Sequence, residues 1–301
     1  MPPAYVVLIE YNVRYGYTVR MSSENPPGHR TGRDRPPGSG IWRGVELLWE
    51  MEEQREPVHR RGTALDREQI VRAAIHIADA EGLEAVTMRR VAQRLNTGAM
   101  SLYRHVPDKD ALVSMMIETV LGDAMVNQPW PSQGWRESLR AVAQSTWRLS
   151  RRHRWYPEAS IAYPPMTPNG VAGLEHALSV FDPYDLDILT RMQFVGAVHH
   201  LALHAALDQA IEEKSQRRLG VTEEEVFRQG APIMEKLAAS GQYPNVTAFI
   251  AAVSELEVEE EDWVLAGVEL ILDGIECRLA RQGKHAGTEP SAAGAGGRSH
   301  S

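Results

Sequence analysis

The chain has a single cysteine, Cys277, in 301 residues. This excludes an internal disulfide framework and fits a reducing compartment. It also lacks any uninterrupted apolar run near the roughly 18–20 residues that cross a bilayer, so no membrane partner is expected. The apolar start MPPAYVVLIEY has no basic segment before it and closes at Glu10, unlike a secretory signal. Strand signals are few, and there is no internal repeat and no glycine-rich phosphate loop. The expectation is a soluble, cytoplasmic, all-α protein that needs no cofactor and is not an enzyme.

Positive charge is scarce as well. The formal net charge of -8 excludes nonspecific coating of nucleic acid. The average hides an island, however. Between Thr87 and Lys109, five basic residues (Arg89, Arg90, Arg94, Arg104, Lys109) face one acid, Asp108. That window carries +4 and the remainder -12. Such a body touches phosphate in one place and repels it elsewhere, although a basic helix face is more often simply solvated.

Residues 1–62 differ in character from the remainder of the chain. Met21–Gly40 is rich in Pro, Gly, Ser and Arg and has too few apolar residues to offset its ordering entropy, so the extension reads as disordered or poorly structured. Residues 4–20 offer at most a marginal hairpin, HRRG at 59–62 is a short basic arm, and Met21 or Met51 are alternative starts. From 63 to 126 the pattern is helical. Asp66 caps a helix that Gly82 stops, and Thr87 caps a second helix, MRRVAQRL. A third runs from Gly98 to about His105 before Pro107, and Asp108 caps a fourth. Residues 127–281 read as a larger helical domain, with helices near 135–153, 171–181, 186–214 and 262–281. Residues 215–261 are mixed, and 282–301 form a low-complexity tail.

Two short helices joined by a tight turn behind a supporting helix describe a helix-turn-helix over about 87–106. Ala92 is small where the helices cross, and Asn96 stands where the turn calls for a positive φ. Leu102 anchors the third helix inward, leaving Ser101, Tyr103 and Arg104 outward. Gly98 and Ala99 let backbone approach a groove, helix N–H groups there suit phosphate, and Arg89 and Arg90 are placed for phosphate or guanine. On spacing alone, half-buried Tyr103 and His105 in a plain bundle are an equal alternative.

The stretch IVRAAIHIADAEGLEAVTMRRVAQRLNTGAMSLYRHVPDKDALVSMM resembles the DNA-binding domain of the TetR family of bacterial transcriptional regulators, in register over about 60 residues. The helical remainder, notably GVELILDGIE, more loosely resembles the tetracycline-repressor-like C-terminal domain. The resemblance implies that Thr87 and Arg89 lie at the DNA-facing start of the second helix. It places Thr97, Gly98, Ala99, Met100, Ser101, Tyr103 and Arg104 toward the groove and makes His105 and Lys109 phosphate contacts. Asn96 departs from the glycine common in this turn. Few long hydrogen-bonding side chains stand on the recognition helix, so base reading falls to Arg89, Arg104 and apolar contacts.

A single helix-turn-helix binds weakly, and a two-fold dimer reading a palindromic operator remedies this. Gly267 and Gly274 flank Leu270 and Ile271 on the last helix, and with the long apolar helix they are the candidate dimer face; a buried central helix in a monomer is the alternative. Trp147, Trp155 and Tyr156 are ordinary core by spacing. The resemblance implies a ligand cavity among these helices, hence an unidentified bulky, hydrophobic or aromatic effector. His199, His200 and His204 complete the candidate ligand set. His200 and His204 stand at metal-ligand spacing, but no third ligand is evident, and backbone-bonded histidines are commoner. The working expectation is a ligand-responsive homodimeric repressor. The alternatives are a metal-dependent enzyme or binding module built on those histidines, or a DNA-binding activator without a small ligand.

Overall fold

A computed structural model describes residues 39–54, 65–127, 134–255 and 260–285. Among the described residues all regular elements are helical. Helix α1 spans Ser39–Glu53, α2 Arg67–Glu81, α3 Met88–Arg94, α4 Ala99–Leu102 and α5 Lys109–Asn127. The body continues as α6 Gly134–Arg152, α7 Tyr156–Ala162, α8 Pro168–Ser179, α9 Ile188–Leu219, α10 Glu223–Ser240, α11 Pro244–Glu255 and α12 Glu260–His285.

Local chemistry sets the head. The Asp66 carboxylate accepts from the Gln69 N–H at 2.7 Å while the Gln69 side chain accepts from the Asp66 N–H at 3.2 Å. This reciprocal box satisfies two orphan donors and fixes where α2 begins. Gly82, at φ 88°, ends it in a conformation that disfavours any side chain, and a 3₁₀ turn over Leu83–Ala85 leads to Thr87. The Thr87 hydroxyl accepts from the Arg90 N–H at 3.2 Å and starts α3. Asn96 then takes φ 51°, the left-handed value anticipated for the turn. The Asp108 carboxylate caps α5 through the Ala111 N–H at 2.8 Å.

Two apolar clusters hold the chain. The first gathers Ile70, Ala74 and Ile77 of α2, Val91 of α3, Leu102 of α4 and Leu112 and Met116 of α5. It runs on into the body through Leu149, Trp155, Tyr156, Ala159 and Leu203, so head and body share one core at their junction. The second joins Leu139 and Trp147 of α6, Phe181, Phe194 and Val198, and Val268 and Leu272 of α12. Helix α9 is central, packed on α6 and α12, which also pack on each other. A charged seam lines α6 and α12. Arg136 meets Glu269 at 2.9 Å and Glu276 at 3.0 Å as well as Asp273, and Arg140 meets Glu269 at 2.5 Å as well as Glu137.

Several expectations change. Residues 39–53 are helical although the extension to residue 62 reads as unstructured in sequence. Among the described side chains of α1 only Val45 and Leu48 are buried apolar residues, too short a stripe to signal in sequence. The recognition helix is one turn, shorter than Gly98–His105, and continues as irregular backbone through Val106. Helix α7 has no counterpart among the expected helices. Residues 215–261 hold α10 and α11, which pack mainly on each other and expose Ile233, Val246 and Phe249, so no clean periodicity marks them. Helix α9 extends to Leu219, and α12 runs to His285, past the boundary placed at 281. The hairpin at 4–20, most of the Pro-Gly-rich stretch, HRRG at 59–62 and the tail beyond 285 lie outside the described residues.

Leu102 is the only fully buried side chain of α4. Leu102→Ala is therefore expected to destabilise the chain by about 2–5 kcal/mol, read from urea unfolding followed by circular dichroism. A loss under about 1 kcal/mol would show that α4 is held by its backbone alone.

Candidate nucleic-acid interface and regulatory core

The turn Leu95–Gly98 presents α4 at the end of the head. Leu102 points into the core, and its neighbours point out: Met100 is 78% exposed and Tyr103 46%. Two large apolar side chains thus stand partly or largely in solvent at and just beyond one helical turn. Gly98 adds a second sign. Its backbone (φ -81°, ψ 143°) is open to any residue, and a Cβ there would meet nothing within 4 Å. The fold therefore does not require this glycine, and the space it leaves opens outward. Ala99, Thr97 and Ser101 are half-buried beside it.

The cations around this turn are not equivalent. Arg89 is exposed and makes no ion pair among the described residues. Arg90 is turned back onto α2, with Nη2 at 2.5 and 2.6 Å from the two Glu81 carboxylate oxygens. Arg104 donates to the Ser101 hydroxyl at 3.3 Å. Thr87 is exposed, with its hydroxyl committed to the α3 cap. The backbone of His105 is tied down, because its carbonyl accepts from Arg67 Nε at 2.9 Å. Lys109 opens α5, half-buried, just beyond. Of the cations expected to face DNA, Arg89 and Arg104 are exposed, whereas Arg90 is diverted onto Glu81.

In the body the candidate ligand residues divide. Trp147 lies in the second cluster, with the Arg151 guanidinium 5.9 Å from its ring centroid. Trp155 and Tyr156 lie in the core shared with the head, and burial pushes the Tyr156 hydroxyl up. All three rings are packed rather than lining an open space. The Trp155 indole N–H donates to Asp79 Oδ1 at 2.8 Å, and His153 Nδ1 meets the same oxygen at 2.8 Å. Asp79 on α2 thereby joins the head to the start of α7. Sequence reading missed this node because its partners are 74 and 76 residues apart. It also missed Ser150, whose buried hydroxyl has no hydrogen-bond partner in the structure.

His199, His200 and His204 follow one another along α9, edge-on and tilted rather than stacked, with successive ring centroids 5.8 and 5.9 Å apart. Burial and the nearby His204 push His199 down to about 4. The same two causes lower His200, opposed by its bond to the Gly196 carbonyl. Among the described residues no three His, Cys, Asp or Glu side chains come together as a metal site. On α12 the candidate dimer residues also divide. Leu270 is 75% exposed and Gly274 is open to solvent, whereas Ile271 packs on the second cluster. Gly267 faces α9, where a Cβ would stand 3.1 Å from Leu201 Cδ2, so its small size serves packing within the chain.

A head that presents one short helix outward on a helix-turn-helix, joined to a helical body, is the arrangement of a DNA-binding transcriptional regulator. The comparisons agree. Residues 70–116 match the profile of the bacterial regulatory proteins of the tetR family, and residues 128–279 match that of the tetracyclin repressor-like C-terminal domain. The chain belongs to the TetR family. It is 36% identical over 267 residues to the HTH-type transcriptional repressor DrrR1 of Streptomyces coeruleorubidus, covering 88% of this chain and 96% of that protein. Identity to the tetracycline repressor class E of Escherichia coli is 27% over 146 residues, 48% of this chain and 69% of that one. Among solved structures, Streptomyces coelicolor ActR in complex with actinorhodin is similar at TM-score 0.58 and 29% identity, over 72% of this chain and 99% of ActR.

The buried His199 carries a pH dependence. The unfolded chain takes up a proton at His199 near pH 6.5, and the folded chain only near 4. The folded state is thus disfavoured progressively as pH falls through that window, by up to about 1.4 kcal/mol per pH unit from this group. His199→Phe is expected to lose less stability between pH 7 and 4.5 than the parent, measured by urea midpoints at both values. Equal losses would mean that His199 protonates freely in the fold.

Proposed function

We propose that this chain is a homodimeric, ligand-responsive repressor that reads a palindromic operator with α4 and the start of α3. The outward face of α4 carries the reading: exposed Met100 and Tyr103 beside a glycine the fold does not need, within the +4 segment. Arg89 is the leading candidate for base or phosphate contact, with Thr87, Thr97, Gly98, Ala99, Met100, Ser101, Tyr103 and Arg104 along the groove. His105 and Lys109 take phosphate. Arg90 contributes only by leaving Glu81. Two copies joined through the exposed side of α12, with Leu270 and Gly274, and through α9 bring two recognition helices to half-sites about 34–36 Å apart.

Release runs through α5. The Tyr163 hydroxyl donates to Asp110 Oδ1 at 2.9 Å, and Asn169 donates its backbone N–H to the Glu118 carboxylate at 3.0 Å and its side-chain amide to the Glu118 carbonyl at 3.1 Å. Tyr163, just after α7, and Asn169, in the first turn of α8, therefore grip α5 at two places. An effector that displaces α7 or α8 pulls the base of α5, which abuts the recognition turn, and spoils the half-site spacing. A full switch from 1:99 to 99:1 takes about 5.5 kcal/mol of differential binding, which two sites can share. ActR has been solved with actinorhodin and with (S)-DNPA. That similarity, the unpartnered Ser150 hydroxyl and the His199, His200 and His204 edge support a bulky, largely hydrophobic effector that also accepts a hydrogen bond, whereas Trp147, Trp155 and Tyr156 are packed and would have to move to meet it.

Selection of fragmented host genomic DNA on the purified protein tests this reading. Enrichment of fragments that share one palindrome is the expected result, and recovery of unrelated sequences by folded protein would end it. On the recovered operator, Arg89→Ala is expected to cost about 1–3 kcal/mol of affinity, while Lys109→Ala should reduce the salt slope by about one unit. Gly98→Asn should leave thermal stability unchanged or raise it by a few tenths of a kcal/mol, since Asn caps helices well, yet weaken operator binding about tenfold or more. Tight binding by the Asn variant in a gel-shift titration would remove Gly98 from the interface.

A further inference from the structure

Helix α1 lies outside both family matches, the first of which begins at residue 70, yet it is anchored in three places. Its Gly44 rests on α5, where an added Cβ would stand 2.6 Å from Ser114 Cβ and Oγ and 2.8 Å from Ala111 Cα. Only a residue without a side chain permits that approach. One turn on, Leu48 enters the apolar cluster of the head. On the same helix the Trp49 indole N–H donates to the Met166 carbonyl at 2.8 Å, within the segment between α7 and α8. The third anchor is Arg67, which reaches Met51 Sδ with one guanidinium nitrogen and donates through Nε to the His105 carbonyl at 2.9 Å, at the end of the recognition turn.

The elements tied by α1 are the ones that Tyr163 and Asn169 already join: α5 and the stretch from Tyr163 into the first turn of α8. A helix that merely covered apolar surface would need burial but no directed bond into the body. Nor is α1 a phosphate-binding arm, because Glu46, Glu50, Glu52 and Glu53 outweigh Arg43. We propose that α1 is a strap that fixes the tilt of α5, and with it the recognition helix, against the regulatory body, with Gly44 and Trp49 as its positioning residues. Its consequence for DNA rests on the operator-binding reading above, whereas its mechanical part does not.

The test uses full-length protein carrying Gly44→Leu, which lifts α1 off α5, or Trp49→Phe, which keeps a ring and loses the N–H donor. Hydrogen exchange would be followed by mass spectrometry in residues 109–118 and 163–169. Binding would be compared on the recovered operator and on copies with the spacer one base pair longer or shorter. Both variants are expected to exchange about threefold faster or more in both segments. They should also discriminate about threefold less between spacers, at an unchanged salt slope, since the phosphate contacts are the same. Unchanged exchange in both segments overturns the strap, as does faster exchange confined to α1. Faster exchange with undiminished spacer discrimination overturns the positioning role. If no operator is recovered, exchange alone decides, so the strap and the DNA reading fail separately.

Discussion

Helix α5 is enclosed on every side over one stretch: Ala111 through Ile117 are buried without a break, Ser114 included. An amphipathic helix on a surface buries one stripe and leaves the rest to water. Seven consecutive buried positions mean that α5 is surrounded, by α2 of the head, by α1 at Gly44, and by α7 and α8 of the body. The placement of α4 is a consequence, because Asp108 caps α5 immediately after the recognition turn ends. So is the union of head and body, since the cluster around Leu112 and Met116 continues into Trp155 and Leu203. A close-packed helix of this kind moves as a rigid piece or not at all, which is what a lever between two sites requires.

Around that axle the polar groups are spent in two ways. Toward the body, α5 and α2 meet hydrogen-bonding partners one by one: Asp110 with Tyr163, Glu118 with Asn169, Asp79 with His153 and Trp155. Directed bonds of this type fix relative orientation more than they add net stability. Toward the outside, the head leaves Arg89, Met100 and Tyr103 without such partners among the described residues and withholds a side chain at Gly98. Chemistry left unsatisfied on one small face, on a body otherwise negative, is the signature of an interface with an anionic polymer.

Much of the head was legible from sequence, because its signals are local. Asp66, Thr87 and Asp108 cap helices through N–H groups three residues on, and Asn96 adopts its left-handed turn within a single residue. The body was legible only as helices. Whether Trp147, Trp155 and Tyr156 ring a space or fill one depends on helices far along the chain, and they fill the core. Gly267 and Gly274 look alike in sequence, yet one receives Leu201 and the other faces water. Helix α1 escaped notice because its stabilisation comes from contacts with Ser114 and Met166, not from its own periodicity.

The sequence by itself determined where the helices of the head start, the turn, the inward Leu102 and the local basic charge, the starts and the turn being set by interactions that span four residues or fewer. Only the tertiary structure decided that Arg90 turns back to Glu81, that Asp79 reaches α7, and that a helix outside the family's two domains reaches both α5 and the body. The reason is range. Caps and turns are satisfied within one helical turn, whereas these pairings join residues from 9 to 117 positions apart, and nothing in a linear pattern selects one distant partner over another.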